Sequence, residues 1–241
     1  MKNMSTIFRA FNPADIARFN ASLPIVIIVR KKLSNAKYLL QIGNKTLQTT
    51  SYKVLKVGEK YWGTMQETTD GAIVLNNLLH RPAILDYIPF SPRKFSFDEV
   101  EKFLDSTNAF KHALDTSLQQ MANTKSKEEF EFLSFVVLGL KEGVLSFVIN
   151  EGKESLLQIK KHQNTLIFSV IMPHLAIIEG HILQNNAGAK ILLKTSFENS
   201  LAIFKANIAK LAQIASVEFL LDKNVKPLFM PQGENLLSYL A

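Results

Sequence analysis

PIVIIVRKKLSNAKYLLQIGNKTLQTTSYKVLKVGEKYWGTMQE, running from Pro24 to Glu67, decides the architecture of the front of this chain. Side chains on a strand point to opposite faces with period two. The stretch alternates apolar and polar residues near Ile25 to Lys31, Lys37 to Ile42, Lys45 to Ser51 and Lys60 to Gln66. Gly43-Asn44 supplies a tight turn, Leu33-Ser34-Asn35 a looser one and Val57-Gly58-Glu59 a third, and a further strand over Gly71 to Leu75 follows Thr69-Asp70-Gly71. Five short strands joined this way predict a small curled or closed antiparallel barrel, a form that avoids open edges.

The same stretch carries the charge. Residues 22 to 60 hold eight Lys or Arg against the single acid Glu59, whereas residues 96 to 148 are net acidic and the rest of the chain is near balance. Barrels of this size often bind nucleic acid through a basic face with exposed aromatics. Arg30, Lys31, Lys32, Lys37 and Lys45 are the candidate cations, and Tyr38, Tyr52, Tyr61 and Trp62 lie among the lysines as candidate stacking rings. The competing reading is structural: lysines solubilise the wet side of a half-buried sheet, and amphipathic rings serve as core or rim residues.

Working outward, the 241 residues are 47% hydrophobic with 17 Phe, too apolar for a disordered charged chain and long enough for two small domains. No run reaches the roughly 18 to 20 apolar residues of a membrane span, so no membrane insertion is expected. The first 21 residues form a helical or flexible segment without the apolar core and small-residue site of a cleaved signal peptide. Zero cysteine removes disulfides, thiolate nucleophiles and sulfur-ligated zinc.

Pro89 and Pro92 mark the close of a first domain spanning 22–90. Ser96 and Glu99 then read as a capping box opening a helical connector over 91–142, with a break near Ser106 to Asn108 and a second, almost wholly apolar helix from Glu128. Asp98, Glu99 and Glu101 sit in a first turn, where they complement the helix dipole and need no catalytic explanation. A last domain over 143–241 begins with a strand at Gly143 to Asn150 and a short helix or strand through Leu156 and Leu157. Strands follow at Asn164 to Met172, Ala176 to Leu183 and Ala189 to Lys194, then a capping box at Thr195 to Glu198, an amphipathic helix over 199–215 and a strand at Ser216 to Leu221. The fold class is α+β: a barrel-like domain, a helical connector and a β-β-β-α-β module whose helix covers one sheet face.

The five histidines, His80, His112, His162, His174 and His181, are scattered and build no metal site. No HExxH, no GxSxG elbow and no phosphate-cradling GxxxxGKS or GxxxxGKT order occurs. The expected protein is therefore not an enzyme and takes no cofactor.

Met172, Pro173, Leu175, Ile177, Glu179 and Gly180, followed by a hairpin, the strand Lys190 to Thr195, a helix containing Ile208 and Leu211, and a closing strand at Val217, resemble the C-terminal core of flagellar hook-length control proteins. Ala176 stands where that pattern has a glycine, and Ala215 where a glycine often ends the helix. The strand pair Lys37 to Leu47 is similar to one found ahead of that core in some family members. The resemblance implies a protein-interaction factor in hook assembly. Its C-terminal core would meet the export gate as a specificity switch, and its front would meet hook or hook-cap subunits. It would be cytoplasmic, with a route out through the flagellar apparatus. Ile177, Ile191, Lys205 and Lys210 are the candidate interaction residues. The alternative is a small-barrel nucleic-acid binder using the 22–60 stretch.

Overall fold

A computed structural model describes residues 6–8, 23–51, 53–67, 73–185, 188–207 and 214–231. The fold is mixed α+β, with two sheets and, among the described residues, four α-helices. The chain divides into two compact units. The first is Met1–Ala83 with His174–Ala176, and the second is Ile84–Pro173 with Ile177–Ala241.

In the first unit, β2 (Ile25–Lys32), β3 (Lys37–Ile42), β4 (Lys45–Ser51), β5 (Lys60–Glu67) and β6 (Ile73–His80) form an antiparallel sheet in the order β4-β3-β2-β5-β6. The three-residue strand β1 (Thr6–Phe8) pairs with both edges, β4 and β6, so the ladder closes on itself. Thr6–Phe8 is thus a strand inside the segment expected to be helical or flexible; the rest of 1–21 lies outside the described residues. Alternation sets the core: Ile27 and Val29, Tyr38, Leu40 and Ile42, and Leu47 all point inward and are buried. Gly43, at φ +56°, makes the turn that sets Ile42 opposite Lys45. The expected strand at Gly71 to Leu75 is β6, which runs on to His80; residues 68–72 lie outside the described set.

The second unit opens with 3-10 turns at Ala83–Asp86 and Ile88–Phe90, then α1 (Phe97–Leu104), α2 (Ala109–Asn123) and α3 (Lys127–Lys141). The capping box is present at α1: Ser96 Oγ accepts from Glu99 N and the Glu99 side chain accepts from Ser96 N. Ser126 Oγ caps α3 by accepting from Glu129 N at 3.2 Å. Every residue from Phe132 to Leu140 is buried, as an all-round apolar helix requires. These helices do not form a separate connector, because α3 belongs to the second unit's core and lies against its first strand, and the units part at Ala83 instead of at residue 90.

The second sheet holds β7 (Leu145–Glu151), β8 (Lys153–His162), β9 (Thr165–Met172), β10 (Ala176–Asn185), β11 (Gly188–Thr195) and β12 (Ile214–Leu221), in the order β12-β11-β10-β9-β8-β7. β12 lies parallel to β11, a pairing that needs a crossover. That crossover contains α4 (Glu198–Asn207). The β-β-β-α-β order therefore holds for β9 onward, preceded by two more strands. The short element expected at Leu156 and Leu157 is the ten-residue β8. The expected helix over 199–215 is corrected at its end, where Ile214 and Ala215 already belong to β12; Ile208 and Leu211 lie outside the described residues. The Thr195 capping box is not formed as expected: Thr195 Oγ1 accepts from Phe197 N at 3.5 Å, and the helix starts at Glu198.

Ser146, Gln158 and Ser169 stand side by side across β7, β8 and β9. Gln158 is fully buried. Its amide donates to Phe229 O at 2.9 Å and its oxygen accepts from Phe229 N at 3.3 Å, so one side chain pairs both backbone groups of the C-terminal segment. The Phe229 ring packs on Phe135, centroid to centroid 5.4 Å. Among the described residues, no helix is long and apolar enough to cross a membrane.

Candidate binding surfaces

The basic surface is built by a register shift. Val29 pairs with Leu40, but the next pair is Lys31 with Leu39, which leaves Arg30 as the extra residue of a bulge. Arg30 and Lys31 consequently both face outward. Arg30 Nε donates to Gln41 Oε1 at 2.6 Å, and Lys32 and Lys37 are exposed beside them. Lys45 is half-buried at the β3–β4 turn. No Asp or Glu occurs between residues 22 and 58 to neutralise this surface.

The aromatic partners expected on that surface are not there. Tyr38 is 1% exposed, Tyr61 6% and Trp62 0%, so none offers a free ring face to a base. For the two tyrosines the reason is parity: Tyr38 shares its face with Leu40 and Ile42, and Tyr61 pairs with Ile27. Their hydroxyls close a loop, accepting from Leu55 N at 3.4 Å and Lys56 N at 3.2 Å respectively. Tyr61 also donates to Glu59 Oε2 at 3.2 Å, where His80 Nε2 stands at 3.0 Å. Burial, ahead of the neighbouring Glu59 charge, holds the Tyr61 phenol above its ordinary pKa. Tyr52 lies outside the described residues.

On the second sheet, Ile177 is 2% exposed and belongs to the core, not to an accessible surface. Ile191 is half-buried between Ile182 and Val217. Lys205, on α4, is exposed, with Nζ 5.9 Å from the Phe219 ring centroid. Lys210 lies outside the described residues.

A group the sequence reading did not single out occupies the face of β10 opposite to Gly180. Glu179 and His181 share that face by their two-residue spacing, and Lys194 is the register partner of Glu179 on β11. His181 Nε2 lies 2.6 Å and Lys194 Nζ 2.9 Å from Glu179 Oε1. Burial pushes the Glu179 carboxyl up, but the hydrogen bonds from His181 and Lys194 outweigh it and hold the group below the usual carboxylate range. Leu183, Leu192, Glu218 and Leu220 continue the same face, with Leu183 and Leu220 exposed. The readable signal was the Glu-Gly-His spacing followed by a hairpin. His174 sits in the turn before β10.

The sheet's two edges differ. Beside β7, Phe95 forms a bridge to Ile149: Phe95 N donates to Val148 O at 2.8 Å and Phe95 O accepts from Asn150 N at 3.0 Å. At the other end, β12 is the terminal strand and carries exposed Leu220 and Leu221. Among the described residues, no three His, Asp or Glu side chains converge as a metal site. The chain matches no protein-family model, no curated protein and no solved structure.

Proposed function

We propose that this chain is a non-enzymatic protein-interaction factor that receives a partner on β12 and the adjoining face of β10 and β11. The observation that carries the reading is the terminal strand β12 with its exposed Leu220 and Leu221, in a sheet whose opposite edge is bridged by Phe95. An exposed sheet edge with apolar side chains suits strand addition, in which main-chain hydrogen bonds supply affinity and side-chain contacts supply selectivity. The resemblance to hook-length control proteins makes a flagellar export-gate component the partner for this end, and hook or hook-cap subunits the partners for the front unit. In that role the protein works in the cytoplasm or passes through the flagellar export apparatus.

Binding to purified export-gate domains tests this directly. The full chain is expected to bind, and Leu220→Lys to weaken binding roughly tenfold, since burying an unpaired ammonium at an interface carries a penalty of a few kcal/mol. Equal binding by Leu220→Lys of unchanged melting temperature, or no binding to any gate, hook or hook-cap subunit, overturns the reading.

The exposed cations Arg30, Lys31, Lys32 and Lys37, in a stretch without an acid from residue 22 to 58, favour a second reading, nucleic-acid binding through phosphates, because Tyr38, Tyr61 and Trp62 are buried. Counterion release then requires a steep loss of oligonucleotide affinity with salt. Replacing all four cations by Gln should flatten the log–log slope by up to about 3 to 4. A salt-independent or unaltered slope removes this reading.

A further inference from the structure

The second unit contains an apolar cavity that neither interaction reading uses. It lies among Phe95, α1, α2, α3 and β7, is half open to the surface and offers about 80 Å³. Three rings build one wall edge to face: Phe95 and Phe147 at 5.2 Å, Phe103 and Phe147 at 5.4 Å, and Phe95 and Phe103 at 6.4 Å between centroids. Leu133, Val136 and Leu140 of α3 and Ala113 of α2 are among the other apolar residues that line it. Edge-to-face triads of this kind are rigid, because each ring is held by the quadrupoles of the other two.

The mouth has the opposite character. Arg93 and His112 line it, and a neighbouring depression that shares these two residues adds Lys102 and one carboxylate, Glu99. Arg93 is held over the Phe95 ring, its guanidinium carbon 4.3 Å from the centroid. His112 stands edge-on to Phe103 at 5.8 Å. The Glu99 carboxylate is already engaged: Oε2 accepts from Ser96 N at 2.8 Å and from Ser96 Oγ at 3.3 Å, and Oε1 lies 3.8 Å from Arg93 Nη2. The mouth is therefore net cationic in front of a greasy interior.

We propose that this cavity binds a short straight-chain monocarboxylate, with its alkyl tail between the phenylalanines and α3 and its carboxylate at the mouth against Arg93. Size decides the tail. A cavity of about 150 Å³ holds benzene, so the smaller space here, about 80 Å³, suits a narrow chain of about four methylenes better than a ring. Charge decides the head. Deeper in the cavity a carboxylate meets only neutral donors such as the Ser117 and Ser146 hydroxyls, whereas at Arg93 it meets a guanidinium that donates stronger, charge-assisted hydrogen bonds.

Calorimetric titration of the full chain with sodium butyrate, pentanoate and hexanoate tests the proposal. Each added methylene is expected to tighten binding about fourfold while the cavity fills. Arg93→Ala should weaken hexanoate roughly tenfold, and hexan-1-ol and hexylamine should bind at least as weakly as hexanoate does to that variant. Val136→Phe, which fills the cavity, should abolish binding. The same titration followed through methyl resonances should shift Leu133, Val136 and Leu140, and this readout decides the matter if Val136→Phe does not fold. Absence of binding at millimolar hexanoate, unshifted methyls in those three residues, or equal affinity for hexylamine overturns the proposal.

Discussion

A methyl group at position 180 has nowhere to go. Built on the Gly180 backbone, it overlaps the ring of Phe168, which lies over the glycine. Gly180→Ala is expected to destabilise the protein by about 1 to 3 kcal/mol through overpacking. In urea unfolding, the double variant with Phe168→Ala should cost less than the sum of the two single changes, because the clash is shared; additive costs would show that the ring is not the obstacle. The neighbouring Glu179 makes a prediction in pH. Its folded carboxyl titrates below the unfolded one, at about 4.3 for Glu, so the folded state holds fewer protons than the unfolded state in that range. The stability it confers is complete above the unfolded value and is lost as pH falls through the folded one. Urea midpoints measured from neutral pH down into the acid range should therefore fall less steeply for Glu179→Gln than for the wild type; parallel curves would dissociate the carboxylate from folding. At this scale the sequence was readable in part. The parity of Tyr38 with Leu40 and Ile42 is visible in the sequence. The adjacent Leu39 blurs it, because apolar residues then stand on both faces of β3.

Among the elements, β8 shows why alternation sometimes fails. Ser155 to Ile159 are all buried, so both faces of the strand are covered and the period-two signal disappears into a continuous run. The end of the 199–215 helix was misjudged for a related reason. Ile208, Leu211 and Ile214 extend the helical spacing in sequence, but Ile214 pairs with Ala189 at the start of β12. Capping chemistry was more dependable, since the Ser96 box depends on two residues three apart and on no distant partner. The Gln158 clamp on Phe229 joins positions 71 residues apart and left no local trace. Gln158→Ala removes the partner of two backbone groups and opens a hole in the core, so it should cost about 2 to 4 kcal/mol. Chymotrypsin should also cleave at Phe229 faster in that variant than in the wild type; an unchanged cleavage rate would mean the segment is held by its ring on Phe135 and not by the amide.

Over the whole molecule, the α+β class, the separation of a strand-rich front from a mixed back, and the concentration of positive charge in the front all follow from patterns within short windows. What the windows could not show is membership. The helices over 97–141 looked like a link because their ends are polar, yet the buried run Phe132 to Leu140 commits them to the second unit's core. The outward basic surface was legible from composition. The burial of Tyr38 and Tyr61 was not, since only packing of the strands around a common core covers them.

Trp62, fully buried, is the chain's single tryptophan, and this makes it a built-in optical probe. Its emission should lie toward the blue and resist quenching by iodide until the chain unfolds, then shift red and become quenchable together; ready quenching in the native state would contradict its burial.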